Sequence, residues 1–102
     1  MSKFIQVAKK SEIAENSAKC VDIEGKRIAL FNLGGEIFAI DDVCTHSGGP
    51  LSEGTIEGDA IECPWHGARF SIRSGDAMGP PAYEGVAKYN VRVLGDAVEI
   101  EM

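Results

Sequence analysis

Short runs of alternating apolar and polar residues make up much of the chain, with turn-forming residues between them. In the C-terminal stretch KYNVRVLGDAVEIEM, Val91 and Val93 alternate with polar neighbours, and Val98 and Ile100 do so after a turn at Gly95-Asp96. A period of two is typical of strands with one buried face. The pattern therefore predicts a half-buried antiparallel hairpin at this end of the chain.

Earlier segments follow the same plan, and together they predict an all-β fold. KCVDI and RIALFNL flank EGK, and GTI and AIEC flank Glu57-Gly58-Asp59. RIALFNL and EIFAI flank Gly34-Gly35, a pair that supplies the positive φ angles of a two-residue hairpin turn. Only KKSEIAENSAK allows a helical turn. Residues 41 to 53 and 64 to 85 break the pattern and are predicted to be loops on this β scaffold, because they are rich in Gly, Pro and polar residues.

Length and charge limit the possible functions. The 102 residues suit one small domain, and a net charge of -6 disfavours binding to nucleic acid or to anionic membranes. Neither a signal peptide nor an apolar stretch of transmembrane length is present. Three cysteines cannot form a closed set of disulfides, so a reducing, cytoplasmic setting is expected. The acidic balance suits a protein that docks with a partner carrying a basic patch, and a monomer is expected.

The residues with the clearest chemistry are two Cys/His pairs in the predicted loops. Cys44 is followed by His46, and Cys63 is followed by His66, with sixteen residues between His46 and Cys63. Thiolate and imidazole select zinc, copper or iron–sulfur over magnesium or calcium. A tetrahedral zinc ion and a two-iron cluster both fit this set of four ligands. The spacing favours the cluster, because each loop supplies one Cys and one His and can give one ligand to each iron.

The motif CTH, followed after the spacer by CPWHGARF, resembles the Rieske iron–sulfur signature. The chain is similar over nearly its whole length to the small Rieske-type ferredoxins of bacterial ring-hydroxylating dioxygenase systems. That resemblance implies a single domain over residues 1–102, in which an antiparallel β-sandwich base carries a cluster-binding lobe at about residues 43–81.

The resemblance also implies the roles of individual residues in holding one [2Fe-2S] cluster. Cys44 and Cys63 would ligate the buried iron, and His46 and His66 would ligate the outer iron near the surface. Gly79-Pro80-Pro81 matches the proline-containing loop that covers the cluster on a third side. Glycines after the ligands are expected to let backbone N–H groups approach the cluster.

Departures from the high-potential members of the family predict a low reduction potential. The positions of their extra disulfide are occupied by Gly48 and Trp65, and the positions of their hydroxyl donors are occupied by Ala68 and Phe70. Fewer hydrogen bonds to the sulfurs stabilise the added electron less, so we expect a potential of about -150 mV. Trp65 either shields the cluster from water or packs within its loop.

The function implied is one-electron transfer from a flavin-containing NAD(P)H reductase to a terminal aromatic-ring oxygenase, by a carrier that is not itself an enzyme. Two alternatives are a Rieske-type small subunit of an assimilatory nitrite reductase and a structural zinc module for protein binding. Cys20, in a predicted strand without a nearby histidine, is expected to be a buried and inert thiol. Acidic residues near the first loop predict either a docking surface or a solvated face: Asp41, Asp42, Glu53, Glu57, Asp59 and Glu62.

Overall fold

The computed structural model describes residues 3–45, 48–65, 67–80 and 84–101. Within them lie ten β-strands and two single-turn 3-10 helices. The strands are β1 (Phe4–Lys9), β2 (Ser17–Ile23), β3 (Lys26–Leu33), β4 (Glu36–Asp41), β5 (Thr55–Glu57), β6 (Ala60–Glu62), β7 (Arg69–Ser71), β8 (Lys88–Tyr89), β9 (Val91–Leu94) and β10 (Ala97–Glu101). The helices span Lys10–Glu12, where a helical turn was expected, and Leu51–Glu53.

The strands form three antiparallel sheets, which confirms the all-β prediction. Their strand orders are β1-β10-β9, β2-β3-β4-β8 and β5-β6-β7. The four predicted hairpins are all present, as β2–β3, β3–β4, β5–β6 and β9–β10. Gly34 and Gly35 turn the chain between β3 and β4 with φ angles of 62° and 96°, which L-residues with a side chain rarely adopt. No helix among the described residues is long and apolar enough to cross a membrane.

Two details of the predicted strands were wrong. The last hairpin does not begin as one strand through Asn90: β8 pairs with β4 and β9 pairs with β10, so the chain changes sheets at this residue. Val93 is exposed rather than buried, because it packs against neither apolar core, whereas Val91 does. Within the predicted loop 64–85, Arg69–Ser71 form strand β7, which pairs with β6. Three residues are too few to show the alternation of apolar and polar positions from which a strand is predicted.

Strand β3 separates two apolar cores, because alternate side chains of a strand point to opposite faces. Ile28 and Leu30 pack with residues of β1, β4 and β10, which fills the space between the two larger sheets as in a β-sandwich. Ala29 and Phe31 pack on the other side with residues of the smaller sheet and with both cysteines of the Cys/His pairs. The sheet β2-β3-β4-β8, called the middle sheet below, therefore packs against the first sheet with one face and against the cysteine-bearing loops with the other.

Candidate metal centre

The two cysteine-bearing loops have the same backbone hydrogen bonds. The N–H of Cys44 donates to the carbonyl of Gly49 at 3.0 Å, and the carbonyl of Cys44 accepts from Gly48 at 2.8 Å. Nineteen residues later, the N–H of Cys63 donates to the carbonyl of Ala68 at 2.7 Å, and its carbonyl accepts from Gly67 at 3.2 Å. Both loops are therefore tight hairpin ends of equal length.

The equivalence extends into the strands that carry each loop. Val43 bridges to Pro50 below the first loop, and Glu62 pairs with Arg69 at the same offset below the second. The next pair down is Asp42 with Leu51 in the first loop and Ile61 with Phe70 in the second. Each cysteine thus sits at the same place on its hairpin, one residue beyond a cross-strand pair.

Glycine is needed at the same point of both hairpins. Gly48 has a φ of 77° and Gly67 a φ of 75°. This left-handed conformation costs residues with a side chain roughly 1–2 kcal/mol. The loop equivalence was missed from the sequence, although the common spacing of each cysteine and a glycine four residues later was visible there.

The two loops face each other closely. A Cβ atom on Gly49 of the first loop would stand 2.9 Å from the Sγ atom of Cys63 and 3.0 Å from the indole ring of Trp65. Real Cβ atoms are not found at such a distance from sulfur, so only glycine fits there without displacement. The backbone of one loop therefore approaches the thiol of the other, as expected for two loops that enclose one group.

Both thiols lie in apolar surroundings. Cys44 is 2% exposed and Cys63 is 1% exposed, and they share one buried cluster with Ala68 and Phe70. Ala68 and Phe70, neither of which carries a hydroxyl, thus belong to the same buried cluster as the two thiols.

A third segment connects the two loops. After β7, Met78 donates its N–H to the carbonyl of Arg69 at 2.9 Å, which fixes the beginning of this segment to the second hairpin. At its other end the carbonyl of Glu84 accepts a 2.6 Å hydrogen bond from the hydroxyl of Thr45 in the first loop. Gly79 and Pro80 are exposed between these points, while Pro81 lies outside the described residues.

Large exposed apolar side chains occur on each of these three segments. Val43 precedes the first cysteine and is 45% exposed, Trp65 in the second loop is 58% exposed, and Met78 is 54% exposed. We call these three residues the apolar rim. More than half of the Trp65 side chain faces solvent although the indole lies beside Gly49, so packing within the loop does not fully account for it.

The predicted ligands divide into two that the structure places and two that it does not. Cys44 and Cys63 are brought together in one cluster, whereas His46 and His66 lie outside the described residues. Among the residues that are described, no three His, Cys, Asp or Glu side chains are grouped to hold an ion. Two buried thiols beside a close backbone fit the chemistry of one half of a [2Fe-2S] cluster.

Asp42, at the base of the first hairpin, is a buried carboxylate that the sequence analysis had placed among surface charges. Its side chain is fully buried; Oδ1 accepts the N–H of Ser52 at 2.6 Å, and Oδ2 lies 3.3 Å from the Arg27 guanidinium. Other acidic residues of that group are paired at the surface, Glu57 with Arg69 and Asp59 with Arg73. Asp42 is therefore removed from any such surface, while the choice between a docking surface and a solvated face for the other acidic residues stays a prediction.

Cys20 is exposed on β2, so the prediction of a buried thiol was wrong. Its strand lies at the edge of the middle sheet, where the side chains of alternate residues are not covered by another layer. Partial burial raises the pKa of the Cys20 thiol, the nearby Arg27 guanidinium opposes this, and the Asp42 carboxylate adds to it. The thiol is thus accessible but predominantly protonated.

Comparison with known proteins gives the same classification. Residues 3–90 match the Rieske [2Fe-2S] domain. The chain is 38% identical over 100 residues to the ferredoxin component of the naphthalene 1,2-dioxygenase system of Pseudomonas aeruginosa, covering 98% of this chain and 96% of that protein. It is 40% identical over 93 residues to the 3-phenylpropionate/cinnamic acid dioxygenase ferredoxin subunit of Shigella flexneri, covering 90% and 87%.

Solved structures also resemble the chain over nearly its whole length. A ferredoxin of Sphingomonas yanoikuyae B1 superposes with a TM-score of 0.92 at 29% identity, covering 98% of this chain and 99% of that one. A chain of the complex of reduced oxygenase and oxidized ferredoxin in carbazole 1,9a-dioxygenase gives 0.89 at 31% identity, covering 95% and 91%. A protein described as a nitrite reductase small subunit gives 0.84 at 22% identity, covering 96% and 97%, which shows a common fold alone.

This chain belongs to the Rieske [2Fe-2S] family, whose domain matches most of its length. Its all-β fold and its two equivalent cysteine-bearing hairpins agree with that classification. Within that family the chain is a ferredoxin of the aromatic dioxygenase type, an electron-transfer component rather than a catalytic oxygenase.

Proposed function

We propose that this protein holds one [2Fe-2S] cluster through Cys44, His46, Cys63 and His66 and carries single electrons to a terminal aromatic-ring oxygenase. The cluster supplies one-electron redox chemistry. The chain would supply two thiolates from an interior in which both cysteines are nearly unexposed, and two imidazoles from His46 and His66. We assign the hairpins and the segment around Gly79 and Pro80 to a lobe at about residues 43–81.

The observation that carries this proposal is the pairing of Cys44 and Cys63 at equivalent points of two facing hairpins. A single zinc ion needs four ligands but no repeated support for them. A binuclear centre with one Cys and one His from each hairpin has two halves, and the two equivalent hairpins match that symmetry.

The apolar rim supports a docking role for the same end of the molecule. Val43, Trp65 and Met78 lie on the three segments around the cysteines and remain exposed. Exposed apolar groups of this size are common where a partner excludes water during contact. A partner that covers the rim would bring its own redox centre to the end of the protein that bears Cys44 and Cys63.

The reductase partner follows from the composition of the relatives' systems. The similar proteins are named as ferredoxin components of dioxygenase systems, and a component that delivers electrons must first receive them. A flavin-containing reductase that accepts one hydride, and so two electrons, from NADH or NADPH and releases the electrons one at a time would supply this chain. We expect the protein to act as a monomeric cytoplasmic carrier.

The proposal is tested by absorption and EPR spectra of the purified protein, with its iron and zinc content. A red-brown protein with two irons per chain, whose reduced EPR signal has an average g below that of all-cysteine clusters, supports mixed Cys/His ligation. Cys44→Ser, Cys63→Ser, His46→Gln and His66→Gln should each lose the signal, while Cys20→Ser retains it. A colourless wild type with one zinc per chain would contradict the proposal.

Gel filtration of cell extract separates the carrier from the nitrite reductase alternative. A carrier elutes as a free small protein that associates with its oxygenase only transiently. A stable enzyme subunit would elute with a much larger complex, and that result would overturn the assignment to a mobile ferredoxin.

A further inference from the structure

We propose that Asp42 is a positioning residue for the first ligand hairpin and that its buried negative charge lowers the reduction potential of the centre. The inference rests on the proposed function above, since it concerns the potential of the group that Cys44 and Cys63 hold.

The first part follows from how Asp42 ties together the base of the hairpin. Its carbonyl accepts the N–H of Leu51 at 2.7 Å, and its carboxylate Oδ1 accepts the N–H of Ser52 at 2.6 Å. Its own N–H donates to the carbonyl of Arg27 in β3 at 3.0 Å. Asp42 lies two residues before Cys44. It thus holds the outgoing and returning strands of the hairpin together and fastens them to β3 of the middle sheet.

The second hairpin shows that the fold does not require a carboxylate at this position. Ile61 occupies the equivalent place, two residues before Cys63, and it is fully buried among apolar residues. An apolar side chain is thus compatible with the hairpin geometry. The charge at Asp42 is a feature of the first hairpin alone, and it is costly because buried carboxylates lose their hydration.

The ion pair with Arg27 compensates only part of the cost of burying the Asp42 carboxylate. The side chain of Asp42 is 0% exposed, whereas that of Arg27 is 50% exposed, and the two approach at 3.3 Å. The neighbours of the buried Asp42 side chain on this side are the half-exposed Arg27 guanidinium and the exposed Cys20 thiol, so Oδ2 has no strong donor from the interior among the described residues. Water screens the half-exposed guanidinium more than the buried carboxylate. The pair therefore leaves net negative charge at the base of the first ligand hairpin, two residues before Cys44.

A negative field opposes the addition of an electron. Removing the carboxylate charge should raise the midpoint potential, and removing the guanidinium charge should lower it, because the carboxylate is then uncompensated. The two shifts in midpoint potential have opposite signs, and this distinguishes an electrostatic effect from a purely structural one, which would not produce opposite signs.

The test is the midpoint potential of the loaded protein by voltammetry at one fixed pH, for Asp42→Asn and Arg27→Met. Asparagine keeps an acceptor oxygen for the N–H of Ser52 while removing the charge. We expect about a tenfold change in the ratio of oxidised to reduced protein at a given potential, equivalent to about 59 mV for a one-electron couple. The change is positive for Asp42→Asn and negative for Arg27→Met.

A matched ion pair lies in another sheet. Arg92 is 47% exposed and binds Glu99, 17% exposed, through Nε at 2.8 Å. Arg92→Met and Glu99→Gln should leave the potential unchanged, which controls for general loss of charge. Asp42→Leu, with no acceptor for Ser52, should lower the melting temperature more than Asp42→Asn and release the cluster faster.

The outcomes separate this inference from the proposed function. If the wild type holds no cluster, the proposed function fails. If the cluster forms but both Asp42→Asn and Arg27→Met leave its potential unchanged or shift it in one direction, the inference is overturned. Should Asp42→Asn not fold, the sign of the shift in Arg27→Met still decides.

Discussion

The backbone of Gly49 lies against the thiol of Cys63, so close that a Cβ atom there would stand 2.9 Å from Sγ. Gly49 belongs to the first hairpin and Cys63 to the second. This contact defines the spacing between the hairpins, because Cys63 is buried and cannot move outward without displacing its neighbours.

Gly49→Ala should therefore push the hairpins apart. Overpacking a close contact costs about 1–3 kcal/mol of the free energy of unfolding. We expect a lower melting temperature and less iron per chain, measured by calorimetry and metal analysis. Gly34→Asn is a suitable control because a Cβ atom at Gly34 meets nothing within 4 Å and asparagine tolerates its positive φ. Full iron occupancy in Gly49→Ala would show that the spacing is not fixed by this contact.

The potential of the wild-type protein should lie near about -150 mV, and Ala68→Ser should raise it. Ala68 is buried beside Cys63, so a hydroxyl there can donate to a sulfur. A hydrogen bond to a charged group is worth about 1.5–3 kcal/mol, and 59 mV is about 1.4 kcal/mol for one electron, so a rise of roughly 60–130 mV is expected. Ala39→Ser, buried in the other core, serves as the control. A wild-type potential above zero would contradict the prediction.

Trp65→Ala should slow electron transfer to the oxygenase without changing the midpoint potential. Truncating an exposed aromatic residue that a partner covers typically costs more than 1 kcal/mol of binding energy, so the concentration for half-maximal rate should rise roughly tenfold. The measurement is the oxidation rate of the reduced protein at increasing oxygenase concentration. Leu94→Ala removes an equally exposed apolar group from β9. An equal effect of both variants would show that the apolar rim is not the contact surface.

Tyr89 should make folding stability fall at high pH. Its hydroxyl donates to Asp41 Oδ1 at 2.6 Å, and burial together with that carboxylate raises the pKa of Tyr89 to about 12. A folded-state pKa above the unfolded value of about 10 means that this stabilisation is complete below pH 10 and is lost as the pH rises toward 12.

Spectrophotometric titration checks this assignment. The wild type should show one tyrosinate transition near pH 12 that is missing from Tyr89→Phe, in which only Tyr83 remains. Thermal melts of Tyr89→Phe should also depend less on pH between 10 and 12. A wild type in which both tyrosines ionise near pH 10 would exclude the raised pKa.

The hairpins of the fold could be predicted from the sequence because each rests on local signals. Alternation and glycine turns mark β3–β4 and β9–β10 without knowledge of any partner strand. Strand β7 and the change of sheet at Asn90 could not be predicted, because they depend on pairing with β6 and β4 across the fold. Short strands acquire their identity from neighbours rather than from their own composition.

The candidate site shows the same division. Spacing alone singled out Cys44 and Cys63, and the structure brings them together. Burial of individual polar residues was not predictable: Asp42 looked like one acidic residue among several, and Cys20 looked like part of a core. Their environments depend on Arg27 and on the edge position of β2, which come from the register of the middle sheet.

Strand β3 is fully covered on both faces along Ile28, Ala29, Leu30 and Phe31. Its amides should exchange with deuterated solvent only when the whole molecule unfolds, whereas the glycine-bearing hairpins can open locally. Without its cluster, the protein would then keep its β-sandwich folded while the two cysteine-bearing hairpins open and close locally. Iron and sulfide can in that case be inserted after folding, and a cluster lost to oxidation can be replaced without synthesis of a new chain.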